Sequence, residues 1–423
     1  MADYDERLSF TGQVNVLTAD LYSYSGVKLD ITAIIGELSL YEDLFSNTMS
    51  GRVLLQDALD LINNFPLIGQ ELLVLKLQTP TVKQTISKTF YVYKLQHRTH
   101  KERVQTYVLN FCSKELIASA NSKVAKSYSG NIAGTVSEIF KDERYLSSKS
   151  KLNTEATKNS YSFIAPYWSP LETINWLSGK SLNGKGVPNY LFYESNQSFE
   201  FVSVDSLIQK EPVREYIFND IDGNTVYGVN GDKESKYKIV ESMDTAVTFD
   251  YLRNLNAGMY SSMLYTYDAT TKGINRNTFD YIDDFGKSSH LEKVPLKTPE
   301  LLRKKISSIY FIEKNNYQIG KFQPQGYKYF FLQRNSLLEQ LSAFKVSIRV
   351  HGRTDVMVGQ TITFKINQFR KIVADEIDTT AKSDYFSGKH LITAIHHQFI
   401  NGNHTMDMEI ISDSFIKNLV TKI

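Results

Sequence analysis

The sequence predicts a β-dominated α+β protein organised around one antiparallel β-unit that occurs twice. Three observations carry this expectation. The first is an echo: Leu67-Ile68-Gly69-Gln70 runs on into the apolar alternation of residues 71–77, and Met357-Val358-Gly359-Gln360 runs on into residues 361–366. The second is context. Each copy follows a candidate strand and an aspartate, residues 51–55 with Asp57 and residues 346–350 with Asp355. Each precedes a long hairpin, 90–95 with 105–111 and 389–399 with 405–411. The third is composition: 26 Tyr and 24 Phe, side chains that favour strands and protein interfaces. Two copies are too few for a solenoid, so the pattern reads as one unit used near each end of the chain.

At 423 residues the chain is too long for a single core, and two to four domains are expected. A formal net charge of +2 argues against a general polyanion binder, which needs dense basic patches. The single cysteine, Cys112, excludes an intramolecular disulfide. It falls in the strand-like run 107–112, where a buried, inert thiol is expected. The polar N-terminus lacks the basic and apolar regions of a signal peptide, and no run approaches the ~20 apolar residues of a membrane helix. The expectation is a chain that folds in the cytosol and does not insert into membranes.

Residues 1–112 read as mostly β. Residues 27–40 alternate imperfectly, 41–47 read as a turn, 51–56 as a strand, and 59–66 as one helical turn ending before Pro66. The first hairpin ends in a charged tip, residues 97–103. Residues 113–210 read as a small α+β module. Ile132, Val136, Ile139 and Phe140 share one helical face, and 142–160 read as a surface loop. Ser169-Pro170 is an N-cap followed by an N1 proline, and Gly179 is a candidate stop. Residues 189–204 read as a hairpin. Strand patterning resumes over 211–248. Residues 249–330 read as an insertion with a hairpin around Thr271-Lys272-Gly273, and 331–416 hold the second copy of the β-unit. That copy carries an added acidic loop, 372–387, with Asp375, Glu376, Asp378 and Asp384. Residues 417–423 form a tail.

Motifs that could carry chemistry fail on context. Gly179-Lys180-Ser181 ends like a phosphate loop, but Ile174 stands where the earlier glycine belongs and a helix precedes it. His390, His396, His397 and His404 fall in one hairpin. His390 and His396 are expected on one strand face with His404 opposite, which leaves a zinc site open beside an ordinary polar face. Asp283-Asp284 and Asp220-Ile221-Asp222-Gly223 read as turn chemistry. No catalytic, cofactor or metal residue is assigned. The residues singled out are structural: Gly69, Gln70, Gly359 and Gln360 in the repeated strand, and the hairpin tips Lys101, Glu102, Arg103 and Asn401, Gly402 as candidate interface positions. A solvated turn is the simpler reading of the first tip.

Several blocks together resemble the baseplate central hub proteins of T-even-type contractile-tailed phages. They are residues 35–45, 51–57 and 66–71; Ser169-Pro170 through Trp176-Leu177; 189–192; 201–207; and 256–262 with 278–281 and His290-Leu291. The resemblance covers most of the chain in the family's order. It implies two tail-tube-like antiparallel β-barrel domains plus smaller α+β inserted domains: a first barrel over 1–112, an α+β domain over 113–210, a second barrel from 211–248 and 331–416, and an insertion over 249–330. It further implies a homotrimer whose two units per chain make a pseudo-hexameric ring. That ring would join a sixfold tail tube to a threefold spike, or tail-lysozyme protein, within baseplate wedge proteins of the virion. DNA would pass a central channel without specific binding, and the chain would have no active site and no cofactor. Assembly would take place in the host cytoplasm. The alternatives are a β-rich cell-wall or polysaccharide-degrading enzyme, or the spike hub of a related secretion or injection system.

Overall fold

A computed structural model of the chain describes residues 8–218, 236–269, 271–296, 306–313, 327–366 and 386–417. The acidic loop 372–385, the Asp220–Asp222 turn and residues 418–423 of the tail lie outside them. The described residues are dominated by strands, and one antiparallel-rich sheet organises the molecule. Its path runs Val240–Thr248, Phe344–His351, Asn403–Ser412, Gly388–Ile400, Ile35–Asp43, Ser50–Asp57, Val104–Ser113, Thr85–Lys101, Leu72–Gln78, Asn15–Tyr22, Lys28–Asp30. Thr361–Ile366 joins Gly388–Ile400 on one side and Glu215–Phe218 on the other.

This path contains the same five-strand order twice. In the N-terminal half it is Ile35–Asp43, Ser50–Asp57, Val104–Ser113, Thr85–Lys101, Leu72–Gln78; in the C-terminal half it is Val240–Thr248, Phe344–His351, Asn403–Ser412, Gly388–Ile400, Thr361–Ile366. All these pairs are antiparallel. Even the irregularities match. A bulge lies between Ile35 and Glu37 and another between Val240 and Ser242; one lies between Val92 and Lys94 and another between Ile392 and Ala394. Bulges re-aim a strand and fix its twist, so coincident bulges mean coincident curvature. The halves diverge at the sixth strand: Asn15–Tyr22 pairs antiparallel with Leu72–Gln78, whereas Glu215–Phe218 pairs parallel with Thr361–Ile366.

Each half carries its own apolar core. Leu38, Leu40, Val53, Leu73, Leu75, Phe90 and Phe111 fill the first, and Val346, Ile348, Ile362, Phe364, Ile395, Met408 and Ile410 the second. A third core gathers Ile132, Val136, Ile139, Phe140, Ile174, Leu177, Phe192 and Phe199. The helix Ile132–Lys141 starts there at Asn131, whose side chain accepts from Gly134 N–H. Pro170–Ser178 starts at a full capping box between Ser169 and Glu172. A fourth core lies around Leu264, Phe279, Tyr281 and Leu332, beneath the small sheet Gly273–Asp280, Ser261–Asp268, Ser308–Glu313.

Several local expectations change. Tyr41–Asp43 continue a strand instead of turning, because their edge is paired by another strand. The charged tip shrinks to the two residues Glu102-Arg103, and His97 to Lys101 are strand around a second bulge. Residues 142–160 are not a plain loop: Leu152–Thr154 pairs with Phe199–Ser203, and Leu146 is buried. Gly179 is the C-cap in right-handed geometry, not a left-handed stop.

The two Gly-Gln turns show why glycine sits there. Gly69 and Gly359 have φ of 81° and 78°, a region L side chains enter at a cost of roughly 1–3 kcal/mol. Their surroundings differ. A Cβ on Gly359 would stand 2.2 Å from Tyr193 Oη, whereas one on Gly69 would find nothing nearer than 3.6 Å. The turns also differ in length. Leu391 pairs with Thr361, two residues past Gly359, but Tyr91 pairs with Leu72, three past Gly69. Gln360 Oε1 accepts from Met357 N–H at 3.0 Å, and in the first turn Glu71, not Gln70, reaches back three residues, to Ile68 N–H at 2.6 Å. Gly359→Ala should therefore destabilise more than Gly69→Ala, by about 2 kcal/mol over the shared backbone strain. Urea midpoints of the two variants check this; equal losses would mean that Tyr193 moves aside freely.

Candidate functional site

The feature that joins the two halves is a strand joint. Gly388–Ile400 is paired by Thr361–Ile366 only over Gly388 to Leu391; beyond the bulge, Ala394 to Phe399 pair antiparallel with Asp43 to Leu38. Two cores are thereby welded edge to edge into one sheet, and two unpaired edges are removed.

Beneath the joint lies a buried polar cluster. Alternation along Ile35–Asp43 places Glu42 on the core face with Leu38 and Leu40, at 1% exposure. Its Oε1 lies 3.0 Å from His397 Nε2, and Oε2 accepts from the backbone N–H of Asn196 at 3.2 Å and Val358 at 3.3 Å. His397 Nδ1 lies 3.1 Å from His404 Nε2. One assignment satisfies this chain: His404 Nε2–H donates to His397, and His397 Nε2–H donates to Glu42. Burial holds the His404 pKa well below its usual value, and the neighbouring His397 lowers it further. One carboxylate thus ties together both halves and the α+β module that carries Asn196. Alongside, Leu44 N–H donates to Thr393 O at 2.7 Å, and the Leu44 side chain sits in the C-terminal core. On the opposite, polar face, His396 stacks on Tyr41 at 4.7 Å and meets Ser39 Oγ at 3.0 Å.

The residues singled out from sequence distribute around this joint. Lys101 ends the exposed strand edge of the first hairpin, and Glu102-Arg103 make its two-residue turn. Asn401 and Gly402 make the matching turn of the second hairpin with φ of 50° and 75°, the type I′ geometry expected of Asn-Gly. This second tip is not free. Val14 N–H donates to Gly402 O, and His404 N–H donates to Gly12 O. Gly69 and Gln70 lie apart from the joint, whereas Gly359 N–H donates to Ile392 O and Val358 N–H to Glu42 beside it.

The histidine expectation needs correction. His390 and His396 do not share a face, because the bulge between Ile392 and Ala394 inverts the alternation. His390 is buried between Phe344 and Phe364, and His404 meets His397 instead. Among the described residues no group of three His, Cys, Asp or Glu side chains could hold a metal ion. Cys112 is buried, and desolvation pushes its thiol up to about 11. Sequence reading missed Glu42, although a lone carboxylate in phase with Leu38 and Leu40 was the signal.

One arrangement has hydrolase-like connectivity. His290 lies 3.1 Å from Ser288 Oγ and 2.7 Å from Asp413 Oδ2. The same Nε2 lies 2.8 Å from Phe285 O, an acceptor only, so that nitrogen carries a proton. Burial opposes charge on the ring, but Asp413 and the Phe285 carbonyl outweigh it and raise its pKa. Nδ1 faces the Asp413 carboxylate and Nε2 the Phe285 carbonyl, so both ring nitrogens are turned to acceptors. No ring lone pair is directed at Ser288 to activate it.

No protein-family model matches the sequence, and no curated protein does. Solved structures do share the fold. The tail protein of Neisseria meningitidis MC58 is 9% identical with TM-score 0.55, over 94% of this chain and 96% of that one. The 43 kDa tail protein of prophage MuSo2 from Shewanella oneidensis is 9% identical with TM-score 0.56, over 94% and 98%. A more distant likeness, 8% identical with TM-score 0.47 over 96% and 79%, is an Escherichia coli component of the type VI secretion system. The architecture is thus one found in phage tail proteins, shared at the level of fold. No helix among the described residues is long and apolar enough to cross a membrane.

The buried histidines set a pH dependence. Desolvation lowers His390 to about 4. A histidine depressed in the fold binds its proton more readily when unfolded. Its contribution is therefore present above about pH 6.5 and lost as pH falls toward the folded value. Stability should fall as pH drops from 6.5 to 4, and His390→Leu should lessen that slope. Urea midpoints across this range test it; parallel slopes would show that His390 does not titrate on unfolding.

Proposed function

We propose that this chain is the structural hub of a contractile phage tail. In this reading it is a homotrimer whose two β-units per chain form a pseudo-hexameric ring, joining a sixfold tail tube to a threefold spike around a central channel for the genome. The observation that carries it is the repeated five-strand order welded by one internal strand joint. A unit that already pairs edge to edge with its near-copy has the geometry for a closed ring, and three chains supply six units. The fold likeness to two phage tail proteins supports the same class.

The domain division follows: a barrel over 1–112, an α+β domain over 113–210, a second barrel from 211–248 with 331–416, and an inserted domain over 249–330. The partners are the tail tube, the spike or tail-lysozyme protein and the baseplate wedges, in a virion baseplate assembled in the host cytoplasm. DNA passes without specific binding. The polar sheet face suits a channel wall, because two of its arginines are neutralised in place. Arg349 is paired with Asp407 at 2.6 Å, and Arg52 Nη2 lies 3.5 Å from Glu37. Paired arginines release few counterions on meeting phosphate and so grip DNA weakly. The chain acts by assembly, with neither catalysis nor cofactor.

Light scattering on the chromatographed chain should return three times 48.4 kDa, and electron micrographs should show rings with a central hole. A chain that stays monomeric at every concentration, alone and with a tail tube protein, overturns the reading.

A further inference from the structure

We infer that the protomers of this ring join by pairing the strand Val240–Thr248 of one copy, antiparallel, with the edge Lys94 to Lys101 of the next. This rests on the ring reading and specifies its contact. The internal joint supplies the template. There, the first strand of the long hairpin, Gly388–Ile400, offers its distal edge, Ala394 to Phe399, to the first strand of the other half. The counterpart of that distal edge in the N-terminal half is Lys94 to Lys101, and the counterpart of Ile35–Asp43 is Val240–Thr248. Among the described residues, neither has a strand paired to its outer edge; the parallel bridge between Ile217 and Ile239 stops just before Val240. Exposure agrees: Thr393 is fully buried at the internal joint, whereas its counterpart Tyr93 is 53% exposed.

Register follows from the shared ladders. Gln398 opposes Ser39 and Phe399 opposes Leu38 at the internal joint. Carried through the matched pairs, Thr99 opposes Asp244 of the next copy and His100 opposes Met243. Each strand also departs from the template once. Thr85–Lys101 has a second irregularity between Gln96 and Thr99, and Val240–Thr248 has one between Asp244 and Val247. Both fall at the level of the His397–Leu40 pair, so an extra residue on one strand meets an extra residue on the other and the register survives. A fold that did not join here would have no reason to align them.

Charge selects the same occupant. The offered edge and its turn carry Lys94, His97, Arg98, His100, Lys101 and Arg103 against the lone Glu102. The incoming strand and the residues after it carry Glu241, Asp244 and Asp250 with no basic residue before Arg253. Arg98 bonds Gln105 and Glu241 faces His351, and both remain exposed. An exposed basic edge and an acidic strand of matching curvature on one chain fit a second copy of that chain.

The test uses the full chain with His100→Cys and Met243→Cys. Mild oxidation should link it into covalent trimers, and each single variant should stay unlinked; the buried Cys112 does not interfere. Glu241→Lys with Asp244→Lys should weaken trimer formation at least about tenfold, and adding Arg98→Glu with Lys101→Glu should restore it. Trimers that neither cross-link nor respond to these reversals overturn the joint and leave the ring standing. A chain that never trimerises overturns both.

Discussion

Glu42 is the constraint on which the rest of the structure depends. It is buried and receives hydrogen bonds from an imidazole on the C-terminal hairpin, from the Asn196 backbone of the α+β module and from the Val358 backbone of the second Gly-Gln turn. A buried carboxylate is costly unless its lone pairs are met. These partners come from three distant parts of the chain, so the cost is offset only when all three are in place. The residue acts as a check on assembly of the subunit more than as a source of net stability.

It also fixes register. Strands slip in steps that swap their faces. A one-residue slip at the joint would bury Tyr41 and expose Glu42, leaving His397 Nε2 without its carboxylate. An apolar residue at 42 would pack as well in either direction along the edge. A similar device holds the α+β module: Glu194, 3% exposed, accepts from Ser113 Oγ at 2.5 Å and from Met49 N–H at 2.8 Å, and pairs with Lys88 at 2.7 Å.

The repeated succession of strands along the chain, the helix capped at Ser169-Pro170 and the two hairpins were legible in the sequence, because alternation, Ser-Pro and Asn-Gly are local signals. The joint was not. Residues 41–43 carry turn-like polarity, and only the partner strand, more than three hundred residues away, makes them a strand. The histidine faces were misread for a related reason. A bulge has no residue signature, yet it inverts every side chain beyond it. The Gly-Gln echo was legible but inexact: the turns differ by one residue, and Glu71 performs what Gln360 performs. The near-match in sequence pointed to the right places through backbone strain common to both turns, not through a shared role for glutamine.

The internal joint and its proposed counterpart between chains have the same geometry and different chemistry, and the difference follows from tethering. Within one chain the two edges are held at high effective concentration. The joint can therefore rely on slow, exacting burial of Glu42, His397 and His404. Between chains the edges must first meet by diffusion, where opposite charges raise the encounter rate and reject wrong partners. The positions equivalent to the buried cluster accordingly carry other residues: Thr248 stands in for Glu42, and the His97-Arg98 bulge for His397. A carboxylate left waiting at an open edge would be a buried charge only after assembly and a solvated one before it. Its desolvation would then oppose every association event. Exposed lysine and aspartate remain hydrated until the strands have paired, so the same fold can close one joint by burial and the next by attraction.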